Sequence, residues 1–198
     1  MGKESHLRKK DWIVTPVESH SDVVSFITEH HYANGAGKTA VFRFGLYRRD
    51  DLDVLMGAAV WLPPTYPAAK YAARVVADDE SRHKEVISLS RLAIHPDVPT
   101  NGASFLLSRM RRKIVLDGRY TIGVTYADTA QGHTGSIYAA DNWTYDGNSR
   151  STPIWIDPES GRMVSPKIGR VNRSKQDMVA LGYVLTGHSV KRRFLRFL

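Results

Sequence analysis

Asp128 closes an apolar run, Tyr120 to Ala127, and precedes a turn bracketed by Gly132 and Gly135, with Tyr138 shortly beyond. A carboxylate at the end of a strand lies where open α/β sheets bind ligands. There it can accept a proton from an exocyclic amine or orient that amine for attack. It can equally cap the turn that follows. Arg91 sits inside Val86-Ile-Ser-Leu-Ser-Arg-Leu-Ala-Ile94, where a buried guanidinium is costly unless paired. Its planar fork suits a carboxylate such as Asp128 or a phosphate, unless the strand lies at an edge and the arginine faces water. Ser104 follows Asn101 and Gly102, in the first turn of a helix whose free amides attract anions. These three can contact a phosphate or carboxylate of a donor, or simply cap the helix. Near the start, Tyr32 can stack on an extruded base, and His31 can ligate a metal or carry a proton. His30 beside it leaves the register open, and Trp143 reads as core.

The elements that must position these groups follow from periodicity and turn residues. Trp12 to Val17 is predicted as a strand and Ser21 to Glu29 as a helix with Val23, Val24 and Ile27 on one side. Val41 to Arg48 and Val54 to Leu62 form a hairpin across Arg49-Asp50-Asp51, ended by Pro63-Pro64. Glu85 to Ile94 is a strand, Ala103 to Leu116 a helix, Tyr120 to Ala127 a strand and Thr134 to Asp141 a short helix, followed by a stub at Trp143 to Tyr145. Pro153 to Ile156 can pair with Met163 to Val164. A helix near Ser174 to Leu181 precedes the basic-aromatic run Lys191-Arg-Arg-Phe-Leu-Arg-Phe197. This order implies an α/β (α+β) fold, a mixed central sheet flanked by helices. It is also the order of the GCN5-related N-acetyltransferase fold, in which two neighbouring strands splay and the reaction takes place in the gap. Here those would be Glu85 to Ile94 and Tyr120 to Ala127.

The chain has 198 residues and no cysteine, which suits one full domain and excludes disulfides and thiolate metal sites. No apolar run approaches the ~20 residues that cross a bilayer, and the first ten residues are polar and basic, so a cytoplasmic protein with no membrane association is expected. From Arg162 onward there are nine Lys and Arg against one acid, Asp177, while the preceding residues hold nineteen of each sign. A neutral body with a basic final segment suits a polyanion. Residues 1–161 would form the catalytic domain, and 162–198 a basic segment packed on it or extending it. Arg170, Arg173, Lys191, Arg192, Arg193 and Arg196 are the expected phosphate contacts; a solvated tail is the plainer alternative.

Ser90-Arg91-Leu92, Asn101-Gly-Ala-Ser104, Tyr126-Ala-Asp128 and Ile137-Tyr138-Ala-Ala with Trp143, joined by His31-Tyr32, resemble the Mom family of phage DNA-modification proteins. The stretch that matches well runs from Ser88 to Gly147. The resemblance implies an acetyltransferase-like enzyme that places a carbamoylmethyl-type group on the N6 amine of adenine in double-stranded DNA, shielding it from restriction endonucleases. It assigns function to Arg91, Ser104, Asp128, Tyr138, His31 and Tyr32. It also implies iron, for which His31, Tyr32 and Asp128 are the ligands to consider. Acetyltransferases cradle a pyrophosphate with a glycine-rich, basic-led loop. Here Val98-Pro-Thr-Asn-Gly-Ala103 has one glycine and no basic lead, which argues against acetyl-CoA as the donor. Two rivals stand beside this reading: an acyl-CoA-dependent N-acyltransferase for a small amine or protein, and a non-catalytic nucleic-acid-binding protein. The sequence leaves monomer and homodimer open.

Overall fold

Strands that are apolar on both faces need cover on both sides, and Gly57–Leu62 and the first half of Val86–Ile94 are buried in this way. The computed structural model describes residues 6–32, 35–37, 39–168 and 171–198. In chain order the elements are β1 (Trp12–Pro16), α1 (His20–His30), β2 (Phe42–Arg48), β3 (Gly57–Leu62), α2 (Tyr66–Ala77), β4 (Val86–Ile94), α3 (Gly102–Asp117), β5 (Ile122–Asp128) and α4 (Ser136–Ala140). There follow β6 (Thr144–Asn148), β7 (Thr152–Ile156), β8 (Met163–Val164), β9 (Lys167–Ile168), β10 (Val171–Asn172), α5 (Lys175–Ala180), β11 (Val184–Ser189) and β12 (Lys191–Phe197).

Seven strands make the main sheet, in the order β1-β2-β3-β4-β5-β12-β6. Only the β4–β5 pairing is parallel; the others in that sheet are antiparallel. One face is covered by α1, whose Val23, Phe26 and Ile27 meet Ala58, Val60 and Ala93. On the same face the Ala69, Ala72 and Ala73 stripe of α2 packs on Val86, Ile122, Val124 and Leu195. The opposite face carries Ala59, Trp61, Ile87 and Leu89 against Leu106, Leu107, Met110 and Ile114 of α3. The mixed sheet with helices on both faces is the expected fold.

Two features position the site. The β4–β5 ladder runs from Val86↔Ile122 to Leu89↔Thr125 and stops there, although both strands continue. The strands therefore part at their carboxyl ends, as anticipated. Opposite β3, the register jumps from Trp61↔Leu89 to Val60↔Arg91, so Ser90 is the extra residue of a β-bulge. Alternation would put Leu89 and Arg91 on one face; the bulge turns Arg91 to the α1 side while Leu89 stays in the α3 core.

Two elements depart from the sequence reading. Residues 66–77, not anticipated as a helix, form α2, with Pro67 in its first turn and Asp78 closing it at φ 53°. The basic-aromatic run near the end is β12, wedged between β5 and β6 with Phe194 and Leu195 buried. The intervening segment between β6 and β12 builds a separate sheet, β11-β7-β8, a β9–β10 hairpin and α5. Within it Trp155↔Val164 and Ile156↔Met163 pair as expected. The segment from 162 onward thus contributes both to this inserted module and to the main sheet.

Candidate active site

Asp128 ends β5 and caps the short turn that follows, its Oδ1 accepting the Ala130 N–H at 3.1 Å. The same oxygen accepts the Ser189 hydroxyl at 2.8 Å, and Oδ2 pairs with Lys191 Nζ at 3.3 Å. Lys191 stands directly across the ladder from Asp128. The residue is 5% exposed. Burial works against the charge, but the Ser189 hydroxyl, Lys191 and the Ala130 amide outweigh it and hold the carboxyl below its ordinary range. It is an anion at neutral pH.

His31 ends α1, its N–H bonded to the Ile27 carbonyl at 2.9 Å. Its ring stacks on Tyr32 with centroids 4.4 Å apart, and Tyr32 in turn lies 5.8 Å from His133. Burial, then the positive charge of Arg91, with His133 and Lys191 beyond, pushes the His31 imidazole down to about 4. Burial, with the Asp128 carboxylate at its hydroxyl, pushes Tyr32 up to about 12. His31 is therefore a neutral imidazole and Tyr32 an un-ionised phenol across the physiological range.

Arg91 donates from Nε to the Gly35 carbonyl at 2.9 Å and from one terminal nitrogen to the Ser90 carbonyl at 2.7 Å. Carbonyls orient the guanidinium without neutralising it. The expected Arg91–Asp128 pair is replaced by Lys191–Asp128, because the cross-strand register puts Lys191 nearer. Both residues nevertheless line one groove, with Tyr32. Tyr138, on α4, is buried against Trp143 and Phe194, and burial raises its phenol although Thr125 bonds to it. Thr125 Oγ1 donates to the Leu89 carbonyl at 3.2 Å, the acceptor at the point where the ladder opens. Gly135, at φ 81°, starts α4 against the Phe194 ring, where a β-carbon would collide.

A cavity of about 260 Å³ occupies the gap between the parted strands, lined by His31, Tyr32, Arg91, His133 and Tyr138. A larger groove of about 950 Å³ lies beside it, and Tyr32 and Arg91 belong to both. His31, Tyr32, Arg91, Asp128 and Tyr138 thus converge from four elements. Ser189 and His133 join them although sequence reasoning did not select them, and Lys191, expected as a phosphate contact, joins as the partner of Asp128. His133 was legible in the glycine-bracketed turn after Asp128; the other two depend on a long-range register.

Asn101, Gly102 and Ser104 do not join. The Asn101 side chain holds the Leu7 backbone, accepting its N–H at 2.6 Å, and Ser104 Oγ donates to the Asn101 carbonyl at 3.0 Å. Gly102 is required by close packing, since a β-carbon would run into Val98. Asn101 and Ser104 line a separate cavity with Lys9, Arg109 and Arg112. Of the expected phosphate contacts, Arg193 is bound to Asp146 at 2.6 Å and lies over the Tyr71 ring. Arg196 faces Asp141 at 3.9 Å, and Arg192 lies over Tyr145. Arg193 and Arg196 are thus engaged with acids of the protein itself, and Arg192 with an aromatic ring. Lys191 and Arg173 line the larger groove; Arg170 falls outside the described residues.

The residues do not fit an iron centre. Among the described residues no three His, Cys, Asp or Glu side chains gather into a ligating group. Asp128 already has three donors, and Lys191 and Arg91 bring positive charge to the position a dication would take. Among the described residues, no helix is long and apolar enough to cross a membrane.

Comparison with solved structures gives acetyltransferases. The fold matches a Drosophila melanogaster polyamine N-acetyltransferase with TM-score 0.56 at 9% identity, over 95% of this chain and 100% of that one. It matches a Bacillus subtilis acetyltransferase solved in complex with CoA with TM-score 0.54 at 8% identity, over 94% and 99%. An agmatine N-acetyltransferase matches with TM-score 0.53 at 11% identity, over 95% and 100%. At these identities the likeness shows the GCN5-related fold. No curated protein sequence matches the chain. The model of the Mom protein family matches residues 11–193, and the chain, with its acid, arginine and phenols gathered where the acetyltransferase strands part, belongs to that family.

Proposed function

We propose that this protein is a transferase that modifies the N6 amine of adenine in DNA, adding a carbamoylmethyl-type group that protects the DNA from restriction endonucleases. The observation that carries the reading is the meeting of Asp128, Arg91, His31 and Tyr32 at the parted strands of a Mom-family chain.

The roles follow from charge state. An exocyclic amine sheds its proton readily only once it has begun to bond to an electrophile, so a weak base suffices. Asp128, ionised and 5% exposed, accepts an N6–H hydrogen bond, orients the nitrogen lone pair and takes the proton as the N6–carbon bond forms. Tyr32 and Tyr138 keep their protons and can donate to the donor's leaving atom. The guanidinium of Arg91, held by two carbonyls and the Ser90 hydroxyl, none of them charged, attracts an anionic portion of the donor. A base reaches this depth only after leaving the stack, and Tyr32, 39% exposed at the rim, offers it a ring face.

Expression in bacteria, digestion of plasmid DNA to nucleosides and mass spectrometry tests the reading. A modified deoxyadenosine is expected with the wild type and absent with Asp128→Asn. An unmodified profile from abundant, folded wild-type protein overturns it.

A further inference from the structure

The inserted module touches the chemistry just described only through Ser189, yet it forms one whole side of the larger groove. On the sheet side are Tyr32, Arg91, Asp128 and Lys191; on the module side are Asn172, Arg173 and Lys175, with Pro153, Ile154 and Met163 between. Four cations thus face one carboxylate, and that carboxylate is already paired with Lys191. Arg173 and Lys175 have no carboxylate within ion-pair distance among the described residues. Asp177, whose carboxylate feels the Arg173 charge, has its Oδ2 occupied by the Ser174 backbone N–H and hydroxyl, both at 2.8 Å. The Arg173 backbone is fixed by its N–H to the Pro166 carbonyl at 2.9 Å. The module is locked to the sheet where Ser189 reaches Asp128 and where, next to it, Thr129 Oγ1 donates to the Val190 carbonyl at 2.7 Å.

We infer, resting on the DNA-modification reading above, that this groove holds the unpaired nucleotides flanking the target adenine, with Arg173 and Lys175 as ligands to their phosphates. A positive channel with apolar surface between its cations is what tracks a single strand: cations neutralise the backbone, and the apolar surface takes sugar and base faces without selecting sequence. A duplex is too wide to bring a base to Asp128, whereas an extruded strand lies along the groove with its base turned inward past Tyr32. The module is the second jaw of the site.

Fluorescence anisotropy with the full chain and a labelled single-stranded oligonucleotide containing one adenine, read between 50 and 300 mM salt, tests this. For Arg173→Ala/Lys175→Ala the slope of log K against log salt should become shallower by about 1.4, two phosphates at about 0.7 each, with at least a tenfold loss of affinity at low salt. The charge-conserving Arg173→Lys/Lys175→Arg should keep the wild-type slope, which separates lost charge from lost folding. An unchanged slope in the alanine variant, or equal competition by poly-glutamate, overturns the inference. Nucleoside mass spectrometry of the same proteins keeps the two readings apart. Wild-type modification with an unaltered salt slope in the alanine variant sinks the groove alone. A shallower slope with no modified adenine from wild type sinks the adenine chemistry and leaves the strand-binding groove standing.

Discussion

Ser189 donates to Asp128 across 61 positions of chain, at 2.8 Å. The acid at the centre of the site is therefore set by the last residue of β11, and its other oxygen by Lys191 at the start of β12. Thr129 fastens the same junction, its hydroxyl donating to the Val190 carbonyl at 2.7 Å. The inserted module and the Asp128 carboxylate are thereby one mechanical unit.

Ser189→Ala should show this. The hydrogen bond it removes goes to a charged group, so stability should fall by about 1.5–3 kcal/mol in a denaturant titration. Asp128, held low in the folded state, contributes stability that is present above its unfolded pKa and lost as pH falls through its folded one. Without Ser189 its carboxyl moves up toward the ordinary range, and the acid limb of the modification rate should shift to higher pH. An unmoved acid limb would show that Ser189 does not tune the acid.

His31 should titrate near 4 by NMR of its ring protons. Its folded pKa lies below the unfolded value of 6.5, so its contribution is complete above pH 6.5. That contribution declines as pH falls toward 4, where the unfolded chain binds a proton that the folded one refuses. The decline of stability over that window should be smaller in His31→Ala. A His31 titration at 6.5 would contradict its burial beside Arg91.

Asp128→Asn keeps the shape and one acceptor for Ser189 while removing the charge. Modification should drop by about 10²–10⁴-fold, the usual share of a positioned base. Thermal stability should also fall, because the charge that the Ser189 hydroxyl and the Ala130 amide stabilise is gone, although Lys191, 43% exposed, is solvated without its partner. Wild-type modification by this variant would remove Asp128 from the chemistry.

Asp141 is the structural counterpart. It takes two bonds from Arg111, at 3.1 and 3.3 Å, and one from the Trp143 indole at 3.1 Å, with Arg196 at 3.9 Å, all largely buried. Asp141→Ala leaves two cations without their carboxylate and should cost about 3–5 kcal/mol in a chemical melt. A change within a few tenths of a kcal/mol would mean that water reaches these groups.

The succession of strands and helices was legible because it rests on local pattern, on apolar runs and turn residues, whereas the opening between β4 and β5 and the gathering of Arg91 and Asp128 at one site followed from the resemblance to a known fold and family. What escaped depends on partners distant in sequence. Lys191 to Phe197 looks like a phosphate-binding tail, but Arg193 and Arg196 find Asp146 and Asp141 only once β12 slips between β5 and β6. The bulge at Ser90 has no signature of its own and decides which face Arg91 takes. Ser104 and Asn101 sit at a helix start as expected, yet the chain that arrives there is Leu7, tied to Asn101. The helix at 66–77 did carry signals, Pro67 near its start and a stripe of alanines, hidden behind Pro63-Pro64.

The placement of β12 also governs how the molecule can be made. The sixth strand in spatial order follows every other described strand in the chain, so a growing polypeptide on the ribosome presents β5 with an open flank until residues 191–197 emerge. Until then the hollow beside Phe194's future seat is wet, and Asp128 lacks both Ser189 and Lys191. Every fragment that lacks residues 189–191 therefore lacks the partners that hold the Asp128 charge, and β5 keeps an unpaired edge until closure.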